Sequence, residues 1–165
     1  HAVQVNRREY YAIITHMDYQ IGRILEHLDK TDQADNTYIF FTADHGLSVG
    51  HHGLLGKQNL YDHSVRVPFV ATGPGIEKDK KNNSPIYFQD VMATSLDIAK
   101  ADKPDHVQFQ SLLPMLEGEK KGGLKSVYGT YVHFQKMVVS GHHKLLLFPK
   151  AEKALLLTSK MIQKK

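Results

Sequence analysis

Two apolar runs, and the tripeptide that ends the first of them, constrain the fold of this chain most strongly. Residues 37–43 form a near-continuous apolar run that stops at Asp44-His45-Gly46, and residues 67–71 form a second run. Runs of this kind are typical of strands buried on both faces, as in a parallel sheet. Ligands of open α/β sheets bind beyond the carboxyl ends of strands, so we expect a site where the first run ends.

Helical periodicity flanks both runs. Residues 7–28 and residues 87–101 carry apolar side chains at three- and four-residue spacing, which is the pattern of amphipathic helices. A single helical turn is predicted over residues 59–65. The order helix, strand, loop, strand, helix predicts an α/β fold that contains part of a doubly wound sheet.

The pattern changes beyond residue 105. Three short strand-like segments, residues 126–133, 136–140 and 144–148, predict a small antiparallel β subdomain. We therefore predict two parts: residues 1–105 as part of an α/β core, and residues 106–165 as the antiparallel subdomain.

Composition narrows the classes of function. The chain has 165 residues, about one domain in length, and a net charge of +4 from 21 basic and 17 acidic residues. The basic residues are mostly scattered, which argues against a nucleic-acid partner. The absence of cysteine excludes disulfides, thiolate metal sites and a cysteine nucleophile in this chain. No apolar run reaches the ~18 residues of a membrane span, so we expect none.

Asp44 and His45 are the candidate metal ligands. Neighbours on a regular strand face opposite ways, so both can reach one cation only if the strand ends and the backbone turns, which Gly46 permits. The alternative is a loop in which the two residues satisfy only local hydrogen bonds. A carboxylate suits calcium, magnesium or manganese, and an imidazole widens the choice toward manganese, iron or zinc.

A lysine and an arginine are candidates for binding an anion. Lys57 closes a glycine-rich loop, where it could hold an anionic oxygen or stabilise charge on a leaving group, or simply be solvated. Arg66 either contacts an anion or forms a salt bridge with an acid such as Asp62.

The histidines of the same segment leave several roles open. His51, His52 and His63 could be metal ligands, substrate contacts or general acids near neutral pH, or ordinary surface side chains. Adjacent histidines rarely serve one metal, so His52, which Gly53 follows, is the better candidate of that pair.

Taken together, residues 43–46, 50–57 and 60–68 resemble the carboxyl-terminal half of the type I sulfatases, which belong to the alkaline phosphatase superfamily. The motifs are Ala-Asp-His-Gly, then Gly-His-His-Gly-Leu-Leu-Gly-Lys, then Leu-Tyr-Asp-His-Ser-Val-Arg-Val-Pro. The resemblance continues through residues 10–25, 89–99, 111–114 and 141–147, so it covers most of the chain.

This resemblance implies a reaction and roles for several residues. Type I sulfatases hydrolyse a sulfate ester to an alcohol and inorganic sulfate, using a calcium ion bound in part by an Asp followed by Asn or His. Asp44 and His45 match that pair. Lys57 matches the family's Gly-Lys lysine, a catalytic residue that contacts the sulfate and the leaving oxygen. The residues that we assign to substrate binding are His52, His63 and Arg66.

The resemblance also implies that part of the catalytic set lies elsewhere. The family's nucleophile is a formylglycine made within a Cys/Ser-X-Pro-Ser-Arg motif, and neither this motif nor the family's amino-terminal Asp-Asp pair occurs here. We therefore expect a fragment of a sulfatase, inactive alone, whose partner is the missing amino-terminal half of the same protein. A sulfated small molecule or carbohydrate is the expected substrate. The family is usually exported to the periplasm, cell exterior or lysosome.

Three alternatives stay open. A phosphonate monoester or phosphodiester hydrolase of the same superfamily carries Asp-His-Gly too, often with manganese. An inactive remnant would fit the missing nucleophile motif. A histidine-rich metal-binding module would bind metal tightly and stoichiometrically, whereas we expect weak binding from two ligands.

The carboxyl terminus departs from the family pattern. Codons for the family's usual Phe-Asp-Leu ending can be chosen that, read one nucleotide late, give residues 157–165 of this chain. We therefore expect these residues to be a frameshifted translation without fold information, which the nucleotide sequence would test.

Overall fold

The computed structural model describes residues 1–119 and 122–158, which form two compact units. Unit 1 comprises His1–Lys57 and His63–Pro74, and unit 2 comprises Gln58–Asp62 together with the described residues from Gly75 onward. These units are discontinuous in sequence, whereas the predicted parts 1–105 and 106–165 are continuous, and that division stays a prediction.

Unit 1 begins with the long helix α1 (Ala2–Lys30), which starts earlier than the predicted residues 7–28. No residue of α1 is buried, and Ile13 and Ile24 are 66% and 63% exposed. The helix therefore presents an apolar stripe that unit 1 itself does not cover. The elements that follow are a 3-10 turn at Ala34–Asn36, strand β1 (Ile39–Thr42), a 3-10 turn at His51–Gly53, and strand β2 (Phe69–Thr72).

Strands β1 and β2 pair directly and antiparallel, with Ile39 opposite Thr72 and Thr42 opposite Phe69. The parallel arrangement expected for these two runs is therefore wrong. An apolar run records that a strand is shielded from water, but it carries no information on the direction of its neighbour. The mixed α/β class with a separate antiparallel sheet is confirmed.

The short helix α2 (Asp62–Val65) precedes β2, within the predicted helical turn at residues 59–65. In unit 1 the amide of Gly46 donates to the Ser64 carbonyl at 2.8 Å. A Cβ atom on Gly46 would lie 2.0 Å from the His63 carbonyl oxygen, so only glycine allows this approach.

Unit 2 contains helices α3 (Asp90–Ile98) and α4 (Leu113–Leu116). The carboxylate of Asp90 accepts the Tyr87 amide at 2.7 Å and the Gln110 amide at 3.3 Å. Because Asp90 holds the backbone ahead of it in this way, α3 starts later than the predicted residue 87. Thr94, fully buried, accepts the Leu112 amide at 2.8 Å and so ties α3 to the start of α4.

A four-stranded antiparallel sheet completes unit 2, in the order β3-β4-β5-β6. Its strands are β3 (Ser126–Tyr131), β4 (Gln135–Ser140), β5 (His143–Phe148) and β6 (Lys153–Thr158). The three predicted strands are confirmed. On β5 the buried positions alternate, so Lys144 and Leu146 face the interior. The Lys144 ammonium forms an ion pair with Asp62 at 2.6 Å and is 2% exposed.

Strand β6 was not predicted from the sequence. Leu157 and Thr158 pair with Lys144 and His143 of β5, so the expectation that residues 157–165 carry no fold information is wrong for the first two of them. The other members of that segment, residues 159–165, lie outside the described residues. No helix within residues 1–119 and 122–158 is both long and apolar enough to cross a membrane.

Candidate functional site

The site forms where β1 ends, and all of its candidate ligands belong to unit 1. Asp44 Oδ1 accepts the amide of His45 at 2.9 Å, which fixes the carboxylate over the turn. The other oxygen, Asp44 Oδ2, lies 3.4 Å from His45 Nε2. The Asp44 carboxylate therefore makes a local hydrogen bond through Oδ1 and approaches the His45 ring through Oδ2, so the two arrangements considered from the sequence occur together.

The tautomer of His45 follows from its second nitrogen. His45 Nδ1 lies 3.1 Å from the carbonyl oxygen of Gly46, and a carbonyl can only accept, so Nδ1 carries the proton. In the neutral ring, Nε2 then has a lone pair directed at its neighbours. The Lys57 ammonium, which can only donate, contacts this same atom. The structure therefore brings Asp44, His45 and Lys57 together.

These donor atoms fit a divalent cation. A cation about 2.4 Å from each of two donors, at a right angle, leaves the donors about 3.4 Å apart. That is the separation observed between Asp44 Oδ2 and His45 Nε2. The donor set is nevertheless incomplete within unit 1, since no group of three or more metal-binding side chains occurs in residues 1–119 and 122–158.

A second layer of contacts lies behind the ligands. Ser48 is fully buried, and its hydroxyl donates to the Gly56 carbonyl oxygen. His63 Nε2 lies 2.7 Å from the same hydroxyl, and it donates there because the hydroxyl proton is already used. Predicted as a substrate contact, His63 is thus placed against the loop. Its substrate role stays a prediction.

The remaining candidates are placed at the surface of unit 1. The exposed rings of His51 and His52 pack against His63, with centroids 6.0 Å and 5.7 Å away. Arg66 is exposed. Asp62 forms an ion pair with Lys144, and the two predicted roles of Arg66, an anion contact or a salt bridge, stay predictions.

Two residues that shape the loop were missed from the sequence. Ser48 lies in a glycine-rich segment, where its residue type alone does not indicate a structural role. That role follows from its complete burial, which the sequence does not show. Arg7 Nη2 donates to the Val49 carbonyl oxygen at 3.0 Å across 42 residues of sequence. An arginine at the start of a predicted helix carries no sequence signal of a contact so distant along the chain.

Comparison with known proteins decides the family. The sulfatase family model matches residues 2–101. The chain belongs to the sulfatase family. Over 128 residues it is 34% identical to the N-acetylglucosamine-6-O-sulfatase of Bacteroides thetaiotaomicron, and this match covers 77% of the chain but 23% of the relative. The chain therefore spans about a quarter of the length of this curated sulfatase.

Solved structures agree. A protein crystallised with its substrate, D-glucosamine-2-N,6-O-disulfate, superposes with a TM-score of 0.82 and 28% identity, covering 89% of this chain and 32% of that one. The phosphonate monoester hydrolase of Silicibacter pomeroyi superposes with a TM-score of 0.76 and 26% identity, covering 87% and 32%. The sulfatase and phosphonate hydrolase families depend in general on divalent metal ions.

Proposed function

We propose that this chain is the part of a sulfatase that supplies two metal ligands and the leaving-group lysine. Asp44 and His45 bind calcium, and Lys57 contacts the sulfate of a sulfated carbohydrate. The observation that carries the proposal is the meeting of Asp44 Oδ2, His45 Nε2 and the Lys57 ammonium at the end of β1. The substrate class rests on the sugar-sulfate names of the relatives.

The bound cation would supply a positive charge that neutralises the anionic ester. The residues of this chain would bind the cation and orient the anionic group. Asp44 contributes a full negative charge through Oδ2, and the Gly46 carbonyl fixes the His45 tautomer so that Nε2 is the donor atom. Lys57 cannot share Nε2 with a cation, so its ammonium must leave this atom and needs an anionic oxygen as its partner.

The direct test uses a chimera, in which residues 2–101 replace the matching segment of the Bacteroides N-acetylglucosamine-6-O-sulfatase. We expect the chimera to release 4-nitrocatechol from its sulfate, and Lys57→Ala to lower kcat by about 100- to 1000-fold, since one charge-stabilising donor is lost. The matched control is Lys30→Ala, on an exposed lysine of α1. Full activity of the Lys57→Ala chimera would contradict the proposal.

The unmodified chain gives the complementary result. It lacks the formylglycine motif, so we expect no release of 4-nitrocatechol by the purified chain with any divalent metal. Metal-dependent release by the chain alone would refute the expectation that it is inactive without the formylglycine motif.

A phosphonate or phosphodiester hydrolase is the second candidate, favoured by the superposition with the Silicibacter enzyme. It predicts that the enzyme containing this segment prefers manganese and hydrolyses bis(4-nitrophenyl) phosphate faster than the aryl sulfate. The sulfatase proposal predicts calcium and the reverse preference, so paired rates with each metal separate the two.

A further inference from the structure

Arg7 makes a long-range contact with the glycine-rich loop that follows β1. Its guanidinium, half-buried on the first turns of α1, donates through Nη2 to the Val49 carbonyl oxygen at 3.0 Å. Val49 has φ +43, a left-handed conformation that is a genuine outlier for a β-branched residue. A conformation of this kind persists only when its surroundings fix it.

The first turn of α1 also packs directly on this turn of the loop. A Cβ atom on Gly50, which has φ +95, would lie 2.4 Å from Val3 Cγ1 and 3.4 Å from Arg7 Nη2. The helix thus meets the loop through a guanidinium and a valine methyl group, with no space between them for a side chain at Gly50.

The loop beyond this contact is closed by its own backbone. The Ser48 amide donates to the Gly56 carbonyl at 3.0 Å, and the Gly50 amide donates to the Leu54 carbonyl at 2.8 Å. Gly56 directly precedes Lys57, whose ammonium contacts His45. Each step from Arg7 to Lys57 is therefore a hydrogen bond or a peptide bond within unit 1.

We propose that Arg7 is a positioning residue, which fixes the strained Val49 turn and so holds the loop closed with Lys57 beside His45. The part that concerns Lys57 in catalysis rests on the proposed function; the closure of the loop does not. An arginine suits this role because its guanidinium is always charged and donates several N–H groups in a fixed plane. A charged donor also makes a stronger bond to a carbonyl than a neutral one does.

The first experiment measures amide hydrogen exchange in the full 165-residue chain. Arg7→Ala is compared with Arg8→Ala, a matched loss of a neighbouring exposed arginine from the same helix. We expect exchange at the amides of Ser48, Gly50 and Leu54 to quicken by about tenfold in Arg7→Ala only, since a charged hydrogen bond is lost. Arg7→Lys should recover part of this protection. Equal exchange in the Arg7→Ala and Arg8→Ala chains would overturn the proposal.

A second substitution at Val49 distinguishes loss of the strained turn from unfolding of α1. Asparagine tolerates the left-handed region better than valine does, so Val49→Asn needs less help to keep the turn. We expect Arg7→Ala combined with Val49→Asn to exchange more slowly at Gly50 than Arg7→Ala alone. An unfolded α1 would not be rescued in this way, and the absence of rescue would overturn the role of the strained turn.

The second experiment uses the chimera described above. Arg7→Ala should lower kcat by about 10- to 100-fold with KM little changed, because Lys57 is displaced from its working position. In the Lys57→Ala background the same change should have little further effect. Fully additive losses would show that Arg7 does not act through Lys57. A chimera without any activity would count against the proposed function alone, and the exchange comparison would still decide whether Arg7 closes the loop.

Discussion

The two compact units bury different kinds of side chain. In unit 1 the only buried residues are two serines, Ser48 and Ser64, and no apolar side chain is buried. In unit 2 the buried apolar residues are Leu60, Ala93, Val107, Leu112, Met137 and Leu146. The unit that carries the candidate site is therefore organised by hydrogen bonds, and the other is organised by an apolar core.

This difference has a consequence for stability and for function. Burial of apolar surface is the dominant favourable term in folding, so unit 2 should hold most of the stability of this chain. Segments with few buried apolar contacts open more easily, and binding loops are often of this kind. The apolar stripe of α1, including Ile13 and Ile24, is the surface that further protein would have to cover for unit 1 to become rigid.

The largest contrast between the units should come from truncating apolar side chains. Leu146→Ala removes a fully buried side chain and should lower the free energy of unfolding by about 4 kcal/mol. Ile13→Ala truncates a side chain that is 66% exposed and should change it by less than about 0.5 kcal/mol. Urea titrations followed by circular dichroism measure both. Similar losses for the two variants would show that unit 1 has a core of its own.

The two units should also differ, by a smaller amount, in the stability that their ion pairs contribute. Lys144→Ala removes a buried ammonium, 2% exposed, and its ion pair with the part-buried Asp62, and should cost about 3 kcal/mol of stability. Lys30→Ala removes an exposed i,i+4 pair with Glu26 on α1, and should cost about 0.5 kcal/mol or less. The same urea titrations apply. A loss below about 1 kcal/mol for Lys144→Ala would mean that water reaches this pair.

Two glycines of unit 1 allow a close backbone contact and helix propensity to be tested separately. Gly46→Ala would force a Cβ atom against the His63 carbonyl, so we expect a loss of about 2 kcal/mol. Gly22→Ala meets no atom within 4 Å on α1, so we expect a gain of about 0.5–1 kcal/mol. Thermal unfolding of both variants distinguishes them. A neutral Gly46→Ala would show that the loop does not depend on its contact with α2.

The smallest expected effect concerns metal binding by the chain alone. In Lys57→Met no ammonium competes for His45 Nε2, so we expect calcium to bind about two- to fivefold more tightly, the scale of one exposed charge contact. Isothermal titration calorimetry measures the affinity, and Lys30→Met is the control on α1. Weaker binding by Lys57→Met would contradict the placement of Lys57 against the ligand atom.

Local sequence signals predicted much of this structure. The apolar spacing of α1 and the three short strand-like segments beyond residue 125 are properties of single segments, and such patterns can be detected in one sequence. The turn at Gly46 was likewise predictable, because two adjacent ligand types can converge only where a strand ends. These features gave the strands, the long helix and the residues of the candidate metal site.

What could not be predicted depends on partners that are distant in sequence. The contact of Arg7 with Val49 joins residues 42 positions apart, and the pairing of Lys144 with Asp62 joins residues 82 apart. Neither residue type nor spacing records such a contact. The antiparallel direction of β1 against β2 belongs to the same class, because the chain can return along either direction after a long loop.

The most direct test is an anomalous difference map from crystals of the chimera grown with calcium. We predict a peak within about 2.6 Å of both an Asp44 carboxylate oxygen and His45 Nε2, with the Lys57 ammonium turned toward a bound sulfate or product. A calcium peak bound only by residues outside this chain, with Asp44 and His45 directed away from it, would contradict the assignment of this segment to the metal site.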